Sequence, residues 1–155
     1  MSTAALDREV GGLAFMQAIV AGEIPNVPIG DTLGFRPVEV EAGRIVFAGK
    51  PAAASLNLIG TIHGGWSAAI LDTAMALAAL TTLDARHDFT TLDLKLNFLR
   101  PIAPGSEVRA EGRVLHGGRR IALCEGRIVD GAGKLLVHGT SSCLIVPRGD
   151  REKSQ

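Results

Sequence analysis

Net charge is missing from this chain of 155 residues, whose 16 Lys and Arg are matched by 16 Asp and Glu. Without a net field nothing draws in DNA, RNA or an acidic membrane surface at long range, so no nucleic-acid or membrane partner is expected and recognition has to be local. Cysteine is scarce: Cys124 and Cys143 form no CxxC pair and lie in apolar segments, which predicts buried, reduced thiols in a cytoplasmic protein. The first residues, with Asp7, Arg8 and Glu9, lack the basic opening and apolar run of a secretory signal. The most apolar window, residues 66–83, is interrupted by Asp72 and falls short of the ~20 residues a membrane span needs. There is no G-x-S-x-G elbow, no phosphate loop, and no H-E-x-x-H or paired spacing among His63, His87, His116 and His138. No metal or cofactor is therefore expected.

What is present suits one packed domain, long enough to bury a single core. Leu6, Val10, Leu13 and Val20 recur at helical spacing and predict an amphipathic helix over residues 7–21, ended by Pro25 and Pro28. Residues 1–28 are read as this helix and a linker, 29–147 as the main domain, and 148–155 as a disordered tail. Val38 and Val40 alternate with Glu39 and Glu41 ahead of the Ala42-Gly43 turn, which predicts a hairpin with residues 44–48. After a loop over 50–62, residues 64–82 form a helix that is apolar on every side and must be enclosed.

Strand patterns follow at 92–98, 108–114, 119–130 and 134–146. Gly117-Gly118 and the Asp130-Gly131-Ala132-Gly133 turn make the later ones antiparallel neighbours. The expected fold is α+β: a curved antiparallel sheet of about six strands wrapped around one long central helix, with an extra N-terminal helix.

The chemistry concentrates where the loop enters that helix. A helix N-terminus presents unpaired N–H groups and partial positive charge, and Gly64 and Gly65 let a ligand oxygen approach without a Cβ in the way. Such donors stabilise the oxyanion formed when a carbonyl is attacked, by roughly 3 kcal/mol for a well-placed one; the glycines could equally just start a tightly packed helix. Asp72 is a carboxylate in an apolar helix, which is costly unless hydrogen-bonded or used. On its own helix only Ser67 and Thr73 are nearby donors, neither at a favourable spacing.

Eight residues at 1.5 Å each put Gly64 and Asp72 about 12 Å apart, too far for one carbonyl. If both serve one reaction they come from different subunits, so a dimer is required. Counting back by two from Phe98, Leu96, Leu94 and Leu92 brings Thr90 to the helix side, where it could hold Asp72 or a water, or merely cap a loop.

Asn57-x-x-Gly60-x-x-His63-Gly64-Gly65, then Asp72-Thr73-Ala74 nine residues after the histidine, then Asn97-Phe98-Leu99-Arg100-Pro101, resemble the PaaI-like group of hotdog-fold acyl-CoA thioesterases. The resemblance runs from about residue 29 to 146. It implies a sheet wrapped around the long helix, dimers whose sheets join edge to edge, and homotetramers of two dimers. It implies that Gly64 donates its N–H to the thioester carbonyl, that Asn57 and His63 position the loop, substrate or water, and that Asp72 of the partner subunit acts as general base or nucleophile with Thr90 orienting the water.

Where some relatives have a serine or threonine one turn after the carboxylate, this chain has Ala76. The resemblance also places the coenzyme A nucleotide against surface cations, with Arg100, Arg119 and Arg120 as candidates and solvated hairpin charges as the alternative for the last two. Gly65 and Trp66 complete the expected substrate contacts. The implied reaction is hydrolysis of an aryl-acyl or medium-chain acyl-CoA. A hotdog dehydratase or hydratase and a non-catalytic acyl-CoA-binding protein are the rival functions on the same fold.

Overall fold

The computed structural model of the chain describes residues 9–149. The beginning of the helix expected from residue 7, and most of the tail expected over 148–155, lie outside them. Helix α1, Gly12–Ala21, starts five residues later than its periodicity suggests and leaves Val10 exposed. Packing sets that start, because the Gly12 N–H donates to Leu83 O at the far end of the central helix. A second short helix, α2 (Pro28–Leu33), falls in what reads as linker and the beginning of the main domain; it spans only six residues, too few for a periodic signal.

Then come β1 (Phe35–Glu41) and β2 (Arg44–Gly49), a 3₁₀ turn at Ala53–Ser55, and the central helix α3 (Gly64–Leu80). The remaining strands are β3 (His87–Phe98), β4 (Val108–Gly117), β5 (Ile121–Asp130) and β6 (Leu135–Pro147). All six strands form one antiparallel sheet in the order β1-β2-β4-β5-β6-β3. The expected meander holds for β4-β5-β6, while β3 crosses over and closes the sheet beyond β6. Its other edge pairs with no strand among the described residues.

The sheet curls around α3, whose Ile70, Leu71, Ala74, Met75, Ala78 and Ala79 are wholly buried. Burying each of the larger side chains contributes about 1.5–3 kcal/mol. The sheet approaches the helix closely through two glycines: a Cβ on Gly112 would lie 2.3 Å from the backbone of Ala74, and one on Gly126 would lie 2.9 Å from Met75 Cγ. On α3 only Gly64, Gly65, Ala68, Ala69, Asp72 and Thr73, at helical spacing, are left less than fully covered. That stripe and the free edge of β3 are the two features that position the site.

Candidate active site

The loop before α3 is organised by Asn57. Its Oδ1 accepts from the N–H groups of Ile59 (3.0 Å) and Thr61 (3.1 Å), and its Nδ2 donates to Thr61 Oγ1 (2.8 Å). Gly60 turns the chain with φ at +82°, and the loop leads to His63 as the helix cap. The His63 ring is not open to a substrate at Nδ1, because that nitrogen accepts the Gly65 N–H at 2.8 Å. The Trp66 N–H donates to His63 O (3.0 Å). Of the two glycines expected to offer donors, then, Gly65 is used internally, and the Gly64 N–H makes no hydrogen bond among the described residues.

Gly64 lines a cavity of about 390 Å³, with Asn57, Thr61, Ser67, Phe98 and Ile102 among its walls and Arg100 beside it. A Cβ on Gly64 would sit 3.1 Å from Phe98 Cζ, so glycine lets this ring close over the helix end while leaving the N–H accessible. A larger hollow of about 730 Å³, between Asn26, Phe35, Arg36, Lys50 and Arg109, contains none of the expected site residues.

Asp72 is half-buried on the open stripe of α3, and its Oδ1 accepts a hydrogen bond of 2.8 Å from a threonine hydroxyl. The donor is Thr91, and Thr90 is exposed. The alternation that points to Thr90 fails at a β-bulge: Thr91 pairs with Cys143 but Asp93 pairs with Ser142, so Leu92 is an extra residue in β3. Beyond the bulge Leu94, Leu96 and Phe98 lie on the helix side of the sheet, Leu94 and Phe98 still exposed there; before it the helix-side residues are Phe89 and Thr91. No pattern in the sequence marks the bulge. Thr73 does not reach Asp72, because its hydroxyl donates to Ala69 O at 2.7 Å.

Trp66, expected to touch substrate, is 3% exposed and packs edge-on against Phe35, with its indole N–H donating to Leu33 O at 2.8 Å. It fastens α2 to α3 and stands apart from the cavity, a burial that apolar spacing around it could have signalled. Arg100 is exposed beside the cavity and donates to Leu135 O at 2.6 Å. Arg119 and Arg120 are exposed at the end of the sheet where β3 begins and β6 ends. The twelve residues of β3, about 40 Å of extended chain, separate them from Phe98 and Gly64.

Beneath Asp72 the inner faces of β5 and β6 carry Cys124 and Cys143, free and buried; the adjacent Cys143 sulfur and burial push the Cys124 thiol up.

Residues 59–137 match the family model described as the Thioesterase superfamily. The chain belongs to that superfamily. Within it the protein is PaaI-like, with the hotdog fold. It is 30% identical to a mutant form of the phenylacetic acid degradation protein PaaI from Thermus thermophilus, with a TM-score of 0.71 over 76% of this chain and 98% of that one. A phenylacetic acid degradation-related protein from Ralstonia eutropha is 32% identical, with a TM-score of 0.76 over 84% of this chain and 98% of that one. Acyl-coenzyme A thioesterase 13 of Homo sapiens is 26% identical over 103 residues, 66% of this chain and 73% of that protein. Membership and relatives together make this superfamily member a thioester hydrolase. No helix among its described residues is long and apolar enough to cross a membrane.

Proposed function

We propose that the protein hydrolyses an aryl-acyl or medium-chain acyl-CoA in a site shared by two copies of the chain. The observation that carries this is the separation on α3: an open Gly64 N–H at the cavity, and about 12 Å along the same helix a carboxylate held by Thr91. One thioester reaches both only if Asp72 of the partner subunit faces the Gly64 of the first. Pairing across the β3 edge supports such an arrangement, because that strand leaves Leu92, Leu94 and Phe98 exposed next to the open stripe of α3. Two such dimers would make the tetramer implied by the resemblance. The same pairing brings Arg119 and Arg120 of one copy toward the cavity of the other, where with Arg100 they would meet the phosphates of coenzyme A.

In this reading the Gly64 N–H donates to the carbonyl oxygen and strengthens its hold as negative charge develops there. With Asp72 as general base, a water oxygen bonds to the carbonyl carbon, the carboxylate takes the water proton, the carbon–sulfur bond breaks, and the proton passes to the departing thiolate. The products are a carboxylic acid and coenzyme A. With Asp72 as nucleophile, its oxygen displaces the thiolate to give an anhydride that water then opens to the same products. Asn57 shapes the loop and His63 caps the helix, both acting on Gly64 from behind. The proposed compartment is the cytoplasm.

The test is release of free thiol from a panel of acyl-CoA thioesters by wild type, Asp72→Asn and Asp72→Ala. Turnover is expected to fall on the order of a hundredfold or more in both variants. Undiminished turnover in the variants would overturn the role of Asp72. Binding of acyl-CoA without thiol release by wild type would favour a non-catalytic binder.

A further inference from the structure

Ser67 is 3% exposed and lines the cavity beside Gly64, yet its hydroxyl makes no hydrogen bond among the described residues. The other hydroxyls of this helix and of the two residues after it behave differently. Thr73 donates to Ala69 O at 2.7 Å, Thr81 to Ala78 O at 2.6 Å, and Thr82 to Ala79 O at 2.7 Å. The His63 carbonyl lies four residues back from Ser67, where the same backbone bond could form, and Ser67 does not make it. Among the described residues only Asn26 Oδ1 is an enclosed polar side-chain atom without a partner, so the Ser67 hydroxyl opens onto the cavity, and a ligand that displaces water there leaves it unpaired unless the ligand brings a polar group.

The surrounding wall is largely apolar, with Ile62, Phe98, Leu99, Pro101, Ile102 and Val137, and its other polar side chains are engaged: Asn57 with Thr61 and the loop backbone, and Arg100 with Leu135 O. Among the described residues Ser67 is thus the one polar side chain of this wall left without a hydrogen bond, and a few placed polar groups in a mostly apolar pocket are what fix the orientation of a ligand. The depth of Ser67 decides which half of the substrate it meets. The nucleotide of coenzyme A must remain in solvent, so the enclosed end of the cavity takes the acyl group.

We infer that Ser67 is a specificity-determining residue that hydrogen-bonds an oxygen on carbon 3 of the acyl chain, so that the preferred substrates are 3-hydroxyacyl or 3-oxoacyl thioesters. Carbon 3 fits the spacing along the helix. Ser67 stands three residues after Gly64 on the same face, about 4.5 Å further along the axis. With the thioester oxygen on the Gly64 N–H, an oxygen on carbon 3 reaches up to about 5 Å from it, and one hydrogen-bond length of about 2.8 Å more spans the remaining distance to the Ser67 hydroxyl. The inference rests on the thioester reading for the placement of the carbonyl.

The experiment compares kcat/KM for matched pairs, hexanoyl-CoA against 3-hydroxyhexanoyl-CoA and decanoyl-CoA against 3-hydroxydecanoyl-CoA. The proteins are wild type, Ser67→Ala and Ser67→Thr. Wild type is expected to favour the hydroxylated member of at least one pair. That ratio should fall at least tenfold in Ser67→Ala and recover in Ser67→Thr, which restores the hydroxyl. A ratio that does not differ between wild type and Ser67→Ala would overturn the inference.

If no thioester is hydrolysed at all, the broader reading fails, and Ser67 is judged separately by equilibrium binding of the non-hydrolysable thioethers decyl-CoA and 3-hydroxydecyl-CoA. Tighter binding of the hydroxylated thioether by wild type, lost in Ser67→Ala, supports the inference. Equal preference in the two proteins overturns it.

Discussion

Thr91 shows how much a single contact can redirect. Its hydroxyl holds the Asp72 carboxylate at 2.8 Å, which compensates part of the cost of placing that charge in an apolar helix and fixes which way the free oxygen points. Thr91→Val keeps the shape of the side chain and removes the hydrogen bond, so it is expected to lower kcat roughly tenfold while KM changes little, as positioning of the proposed catalytic carboxylate requires. Thr90→Val, on the exposed side of the strand, should cost less than threefold. Steady-state kinetics on the two variants separates them; equal losses would remove the positioning role. Gly64 and Asp72 stood out in the sequence as candidates because their chemistry conflicts with their surroundings. That the His63 ring uses the Gly65 N–H was not readable, since histidine is an uncommon helix cap and nothing in a Gly-Gly pair says which N–H is already taken.

Among the elements, α3 and the β4-β5-β6 meander follow directly from apolar runs and glycine turns, because those patterns report burial and chain reversal. Strand β3 does not. Its bulge at Leu92 changes which residues face inward, and only pairing with β6 reveals it. Helix α2 was hidden for a different reason: its stability comes from long-range contacts such as the Trp66 indole N–H on Leu33 O, which no local propensity carries. The contact between sheet and helix gives a sharp stability prediction. In Gly112→Ala the new methyl carbon would sit 2.3 Å from backbone atoms of Ala74, neither of which can move without shifting α3. A loss of about 3 kcal/mol or more is expected, read as a lowered midpoint in chemical denaturation; a change below about 0.5 kcal/mol, the size of an ordinary surface substitution, would contradict this packing.

For the whole molecule, the decisive quantity is the length of α3 between its two candidate catalytic groups. The separation behind the proposed two-copy site was legible in the sequence, since helix rise alone parts Gly64 from Asp72. The surface that would join the copies was not, because the crossover of β3 to the sheet edge depends on the complete topology. Mixing Asp72→Asn chains with Gly64→Pro chains should restore thiol release to inactive proteins. Random pairing gives half heterodimers, each with one intact site, and therefore about a quarter of the wild-type sites. No recovery in confirmed heterodimers would exclude a shared site.

A site shared as proposed has a genetic consequence. In a cell making wild-type and mutant chains together, a chain altered only at Asp72 leaves every mixed dimer one working site, so its effect is partly masked. A chain altered at both Gly64 and Asp72 spoils both sites of every mixed dimer, one through each end of its helix. The double lesion would therefore behave as a dominant inhibitor of the normal allele, although neither half of it would do so alone.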